Sequence, residues 1–226
     1  MNQTGQINQD LLLLQLRATT FGISYNDLLS ANRAAIDWRS WSKAIAQFAL
    51  RYEQLAEQAM VGGHPQSSAQ WWQSATNYYH FAQMFMQGSQ KIEYQTKSRQ
   101  AYCQFTKLAP AAPQRIAIAY QAITLPGYIQ VSHAGAPVVI LLGGLEFAKE
   151  VELHQLGQPF LARGVSVVCF DTPGQGELSQ IHATTADFEL TMKAVLDFLY
   201  AQAYATPASP VGIFGIYCKR SITMGN

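Results

Sequence analysis

Apolar positions along this chain recur first at three- and four-residue steps and later in short unbroken runs, and the change of period divides it. Trp38, Trp41, Ile45, Phe48, Ala49, Tyr52 and Leu55 form one stripe of an amphipathic helix. Asp37 is placed to cap its start and Gly62-Gly63 to stop it. Ser67 and Ser68 open a second predicted helix, with Trp71, Trp72, Ala75, Tyr78, Tyr79, Phe81 and Ala82 as its apolar content. A third is predicted from about Gln90 to Leu108, and Pro110 and Pro113 punctuate its end. The expectation is an all-helical domain over residues 1–110.

Residues 111–226 follow another pattern. Residues 115–120 and 124–129 read as a short strand pair. Residues 138–142 are continuously apolar, as suits a parallel strand covered on both faces. A helix over residues 149–162, closed by Gly164, leads to a buried strand at 165–170. A long helical pattern over 185–203 ends at Pro207 and Pro210, and a last strand occupies 211–216. Strand, helix, strand, helix, strand predicts an α/β domain with a doubly wound, mostly parallel sheet and right-handed crossovers.

Composition narrows the function. Charged residues make up 13% of the chain and the formal charge is +1, which gives no electrostatic basis for a nucleic-acid partner. Three cysteines without CxxC spacing favour neither a disulfide framework nor a zinc site. Leu11 to Leu14 is too short for a signal-peptide core, and no stretch approaches the ~20 apolar residues of a membrane span. A reduced, cytoplasmic setting without membrane attachment is expected.

Two glycine-bearing bends follow buried strands. The first is Gly143-Gly144-Leu145-Glu146 and the second Asp171-Thr172-Pro173-Gly174-Gln175-Gly176. Ligands of open α/β sheets bind at that edge, and paired glycines let backbone approach a substrate closely. Each bend alone also reads as a tight turn. The second is expected to shape the sheet edge rather than to carry a catalytic group.

Together the bends resemble those of α/β-hydrolases with an N-terminal helical cap, the group of the FrsA-like esterases and 2,6-dihydropseudooxynicotine hydrolase. Further carriers of the resemblance are Trp71-Trp72, Tyr78 to Ala82, Leu125-Pro126-Gly127-Tyr128, Lys149-Glu150, Arg163-Gly164, and Phe170-Asp171 with Pro173-Gly174-Gln175-Gly176-Glu177. The resemblance implies a Ser-His-acid mechanism on an ester, or on a C–C bond beside a carbonyl, without metal or organic cofactor. It implies a small-molecule carbonyl or ester substrate and makes a homodimer a candidate assembly. Backbone N–H groups of Gly144 and Leu145 would hold the oxyanion. Glu146, His80 and Tyr79 are candidate pocket residues, whereas His133 and His182 fall in expected loops.

The resemblance reaches the nucleophile elbow and departs there. The strand at 211–216 leads to Tyr217-Cys218-Lys219-Arg220, where Gly-x-Ser-x-Gly is expected. Tyr217 takes the nucleophile slot, and a phenol, acidic only near pH ~10, is no simple replacement for Ser. Cys218 lies one position late and Ser221 later still. With the chain ending at Asn226, the acid and histidine of the triad are also expected to be missing. The expectation is an incomplete α/β-hydrolase sheet, truncated at the elbow and inactive as it stands. The alternative function is a non-catalytic remnant that binds a small molecule or a protein.

Overall fold

The computed structural model describes residues 14–144, 146–179, 181 and 188–215. They form two compact units divided between Ala112 and Pro113. The first is helical: α1 (residues 14–20), α2 (Tyr25–Ala34), α3 (Trp38–Val61), α4 (Pro65–Gln83) and α5 (Gly88–Leu108). At the start of α3 the Asp37 carboxylate accepts from Ser40 N at 2.7 Å, and Ser40 Oγ accepts from Asp37 N at 3.0 Å. This reciprocal pair satisfies two N–H groups that helix geometry leaves unbonded. Helix α4 opens at Pro65, ahead of the predicted serines, because proline at the first helical position sacrifices no hydrogen bond.

Helix α4 packs between α3 and α5, and residues 75–83 are buried on every side of it. Ser98 Oγ of α5 donates to Thr76 O of α4 at 2.9 Å, so this buried hydroxyl is satisfied. Helices α1 and α2 are absent from the sequence reading. The α2 sequence offers only Leu28 and Ala31 as buried positions, too few to produce a periodic stripe.

The second unit is a five-stranded sheet: β1 (Gln114–Tyr120), β2 (Ile123–Gln130), β3 (Val138–Leu142), β4 (Ser166–Phe170) and β5 (Val211–Gly215), in the order β1-β2-β4-β3-β5. Strand β2 is antiparallel to both neighbours, and β4, β3 and β5 pair in parallel, so the described sheet is mostly parallel as expected. Helix α6 (Glu152–Leu161) connects β3 to β4, and α7 (Phe188–Ala201) connects β4 to β5.

The sheet's two faces are read off alternate residues. Val138, Ile140, Val168 and Phe170 join Met192, Val195 and Leu199 of α7 in one apolar core. Leu141 and Val167 face α6 instead, near enough to Gly157 that a Cβ there would lie 3.0 Å from Val167 Cγ1. Each fully buried Ile, Val or Leu of this kind contributes roughly 1.5–3 kcal/mol. Helices on opposite faces are what right-handed crossovers in opposite directions require.

Helix α6 begins at Glu152, three residues later than predicted, because residues 149–151 form a turn that carries Lys149 and Glu150 into the interior. Its end is as expected: Gly164 takes φ +80° and Val165 N bonds back to Phe160 O at 3.0 Å. Predicted positions 185–187 of the next helix and Ile216 of the last strand lie outside the described residues.

Candidate active site

Gly143 and Gly144 leave the end of β3 beside the bend that leaves β4. A Cβ on Gly143 would lie 2.5 Å from Phe147 Cβ, so this turn requires glycine. Phe147 N donates to Gly144 O at 2.9 Å, and Ala148 N donates to Glu152 Oε2 at 2.9 Å. Glu146 is exposed at the rim. Leu145, expected as the second oxyanion donor, lies outside the described residues.

The second bend braces the first. Gln175 Nε2 donates to Gly143 O at 3.1 Å, while Gln175 Oε1 accepts from Thr172 Oγ1 at 2.7 Å. Asp171 is buried, and its Oδ2 accepts from Glu177 N at 2.9 Å, where the 3₁₀ turn of Gly176–Leu178 begins. Gly176 adopts φ +45°, and a Cβ there would run into the Asp171 carboxylate.

Beneath both bends lies a charge cluster that the sequence reading missed. Lys149 Nζ is 2.5 Å from Asp171 Oδ2, 2.7 Å from Glu150 Oε1 and 2.9 Å from Glu177 Oε1. The Lys149 side chain is 1% exposed. Arg115 of β1 bonds both Glu177 oxygens, at 3.0 and 2.9 Å, and donates to Tyr128 Oη at 3.2 Å. Burial alone would lower the lysine pKa, but the charges of Asp171, Glu150 and Glu177 hold it above the usual range.

The carboxylates divide. Glu177 works against its own burial: the Lys149 charge and hydrogen bonds from Arg115 and Lys149 pull it down to about 2. Glu150 moves the other way, because complete burial outweighs the single ammonium contact. Its Oε1 meets Lys149 as an ion-pair contact without hydrogen-bond geometry. Cys169, at the end of β4, is pushed up to about 12 by burial and nearby Glu150, which makes it a poor nucleophile. The signal for the cluster was four charged residues beside two glycine bends in a chain otherwise poor in charge.

The other predicted residues fall elsewhere. Tyr79 and His80 belong to α4, in the helical unit. Tyr79 Oη donates to Glu53 Oε2 at 2.9 Å, and the His80 ring stands edge-on to Phe81 at 5.3 Å. Both are buried. His133 is exposed, as a loop position predicts. Tyr217, Cys218, Ser221 and His182 lie outside the described residues. No described helix is long and apolar enough to cross a membrane.

A protein-family model described as "Esterase FrsA-like" matches residues 28–218. The chain is 29% identical over 220 residues to 2,6-dihydropseudooxynicotine hydrolase of Paenarthrobacter nicotinovorans, covering 95% of this chain and 59% of that protein. It is 28% identical over 200 residues to the alpha/beta hydrolase xenA of Xenoacremonium sinensis, covering 84% and 47%. The crystal structure of the 2,6-dihydroxy-pseudo-oxynicotine hydrolase superposes with a TM-score of 0.74 at 28% identity, over 91% of this chain and 56% of that one. AbyA5, at 17% identity and a TM-score of 0.58 over 95% and 56%, shares the fold. The chain spans about half the length of the curated relatives it matches.

Proposed function

The chain belongs to the FrsA-like esterase family of α/β-hydrolases, and from that premise we propose that its sheet unit supplies the oxyanion side of a serine-hydrolase site. The observation that carries this reading is the glycine bend at the end of β3, fastened by Gln175 at the sheet edge where such folds bind ligands. Backbone N–H groups of Gly144 and Leu145 hold the oxygen of a carbonyl as it gains negative charge, worth roughly 3 kcal/mol per donor in such sites. The substrate class is a small ester, or a molecule with an activated C–C bond beside a carbonyl. Glu146 borders that site, and Tyr79 and His80 are kept as candidate pocket residues of the helical unit. A cytoplasmic setting and a homodimer are parts of the same proposal.

The same proposal extends to the nucleophile slot. Tyr217 stands in the slot, and these 226 residues are therefore proposed to bind a carbonyl compound without hydrolysing it. That favours the second reading, a small-molecule-binding remnant, for the chain as it stands. Two measurements separate the parts. Amide shifts at Gly144 on titration with phenylphosphonate, an oxyanion mimic, are expected; unshifted amides would sink the oxyanion reading. Neither p-nitrophenyl acetate turnover nor fluorophosphonate labelling is expected, and labelling would show a competent nucleophile.

A further inference from the structure

Lys149 fastens the two rim bends to one another through a single buried ammonium. Its charge meets three carboxylates from three places: Glu150 beside it, Asp171 after β4 and Glu177 in the 3₁₀ turn. Arg115 brings β1 into the same cluster through Glu177. Tyr128 brings in β2, its ring centre 6.0 Å from Lys149 Nζ and 5.6 Å from the Arg115 guanidinium carbon. Cys169 Sγ donates to the Lys149 carbonyl oxygen at 3.8 Å.

The bend after β3 is thus held at both ends. Gln175 holds Gly143, and the carboxylates hold Lys149. Between those two points Phe147 N donates to Gly144 O, a brace of the bend's own. Moving Lys149 would swing that backbone relative to β4, because Asp171 itself is fixed by Glu177 N and closely enclosed by Gly176.

We propose that Lys149 is a positioning residue for the oxyanion-binding bend, setting where the Gly144 backbone stands; the functional half of this statement rests on the reading above. Lys149 needs a compact ammonium for the task. An arginine in its place would offer a planar fork, which suits one carboxylate and not three arranged around a point.

Native-state amide exchange on the 226-residue chain tests this, in the wild type and in Lys149→Met, Lys149→Arg and Glu177→Gln. Exchange at residues 144–148 is expected to accelerate about ten- to hundredfold in each, the worth of one or two charge-assisted hydrogen bonds. Amides of β1 and β2 are expected to change less. Val195→Ala, a cavity in the α7 core, serves as control and should speed core and rim amides alike. If Lys149→Met fails to fold, Glu177→Gln still decides, since its partly exposed carboxylate removes one anchor only. Unaltered exchange at residues 144–148, or acceleration equal to that of the strands, overturns the positioning role. Loosened rim amides in a protein whose Gly144 ignores phenylphosphonate would instead refute the oxyanion reading and leave Lys149 as the anchor of the bend.

Discussion

Gln175 Nε2 donates to Gly143 O at 3.1 Å, so a side chain from the bend after β4 holds the backbone of the bend after β3. Gln175→Ala removes that bond and the one to Thr172, and we expect it to cost about 1–2 kcal/mol. Gln175→Glu should cost more, because a carboxylate cannot donate and would turn an oxygen toward the Gly143 carbonyl. Urea midpoints at unchanged m-value measure both.

Gly176 and Gly63 both adopt positive φ, +45° and +76°, but their surroundings differ. A Cβ at Gly63 meets nothing within 4 Å, whereas one at Gly176 enters the Asp171 carboxylate. Gly63→Ala should therefore cost only the backbone term, about 1–2 kcal/mol. Gly176→Ala should cost about 3 kcal/mol or more, because it also displaces the partner of Lys149. Equal losses in the two variants would show that the carboxylate yields freely.

Glu177 and Glu150 give stability opposite pH dependences. Glu177, pulled down to about 2 in the fold, titrates near ~4.3 when unfolded. The unfolded chain binds more protons between those values, so the Glu177 contribution is present above the unfolded pKa and is lost as pH falls toward the folded one. Glu150, raised by burial, contributes below its unfolded pKa and loses that contribution as pH rises. Glu177→Gln should flatten the acid limb of an unfolding midpoint-versus-pH curve. Glu150→Gln should raise stability at neutral pH relative to acid. A loss in Glu150→Gln that is the same at every pH would contradict the raised carboxyl.

Tyr78 ties α2 to α4. Its hydroxyl donates to Asp27 and accepts from Ser24 N at 2.9 Å, and Tyr52 Oη donates to the same Asp27 oxygen at 3.0 Å. Tyr78→Phe leaves the Ser24 N–H unpaired, and we expect a loss of about 1–3 kcal/mol by denaturant unfolding. Tyr52→Phe should lose less, since its hydroxyl is better hydrated.

Helices α3 and α4 were legible from their recurring apolar positions, β3 and β4 from short buried apolar runs, and α5 from the prolines beyond its end, with Asp37 and Gly164 marking ends. Helix α6 was expected from Lys149, three residues ahead of its start at Glu152. Periodicity says nothing of the buried carboxylates that draw Lys149 inward. The glycine bends were visible as motifs, and Glu177 and the Lys149-Glu150 pair were seen only as carriers of the family resemblance. That they meet is a property of the β4–β3 pairing, which brings positions more than twenty residues apart to the same edge.

One ammonium shared among three acids also constrains how this sequence can change. Losing Lys149 strands Asp171 and Glu150 in a dry interior and leaves Glu177 to Arg115 alone, while losing one acid alters the balance for the other two. Substitutions at 149, 150, 171 and 177 are therefore strongly epistatic: a drift tolerated at one position depends on what the others already carry. Homologues should keep the quartet whole or replace it together.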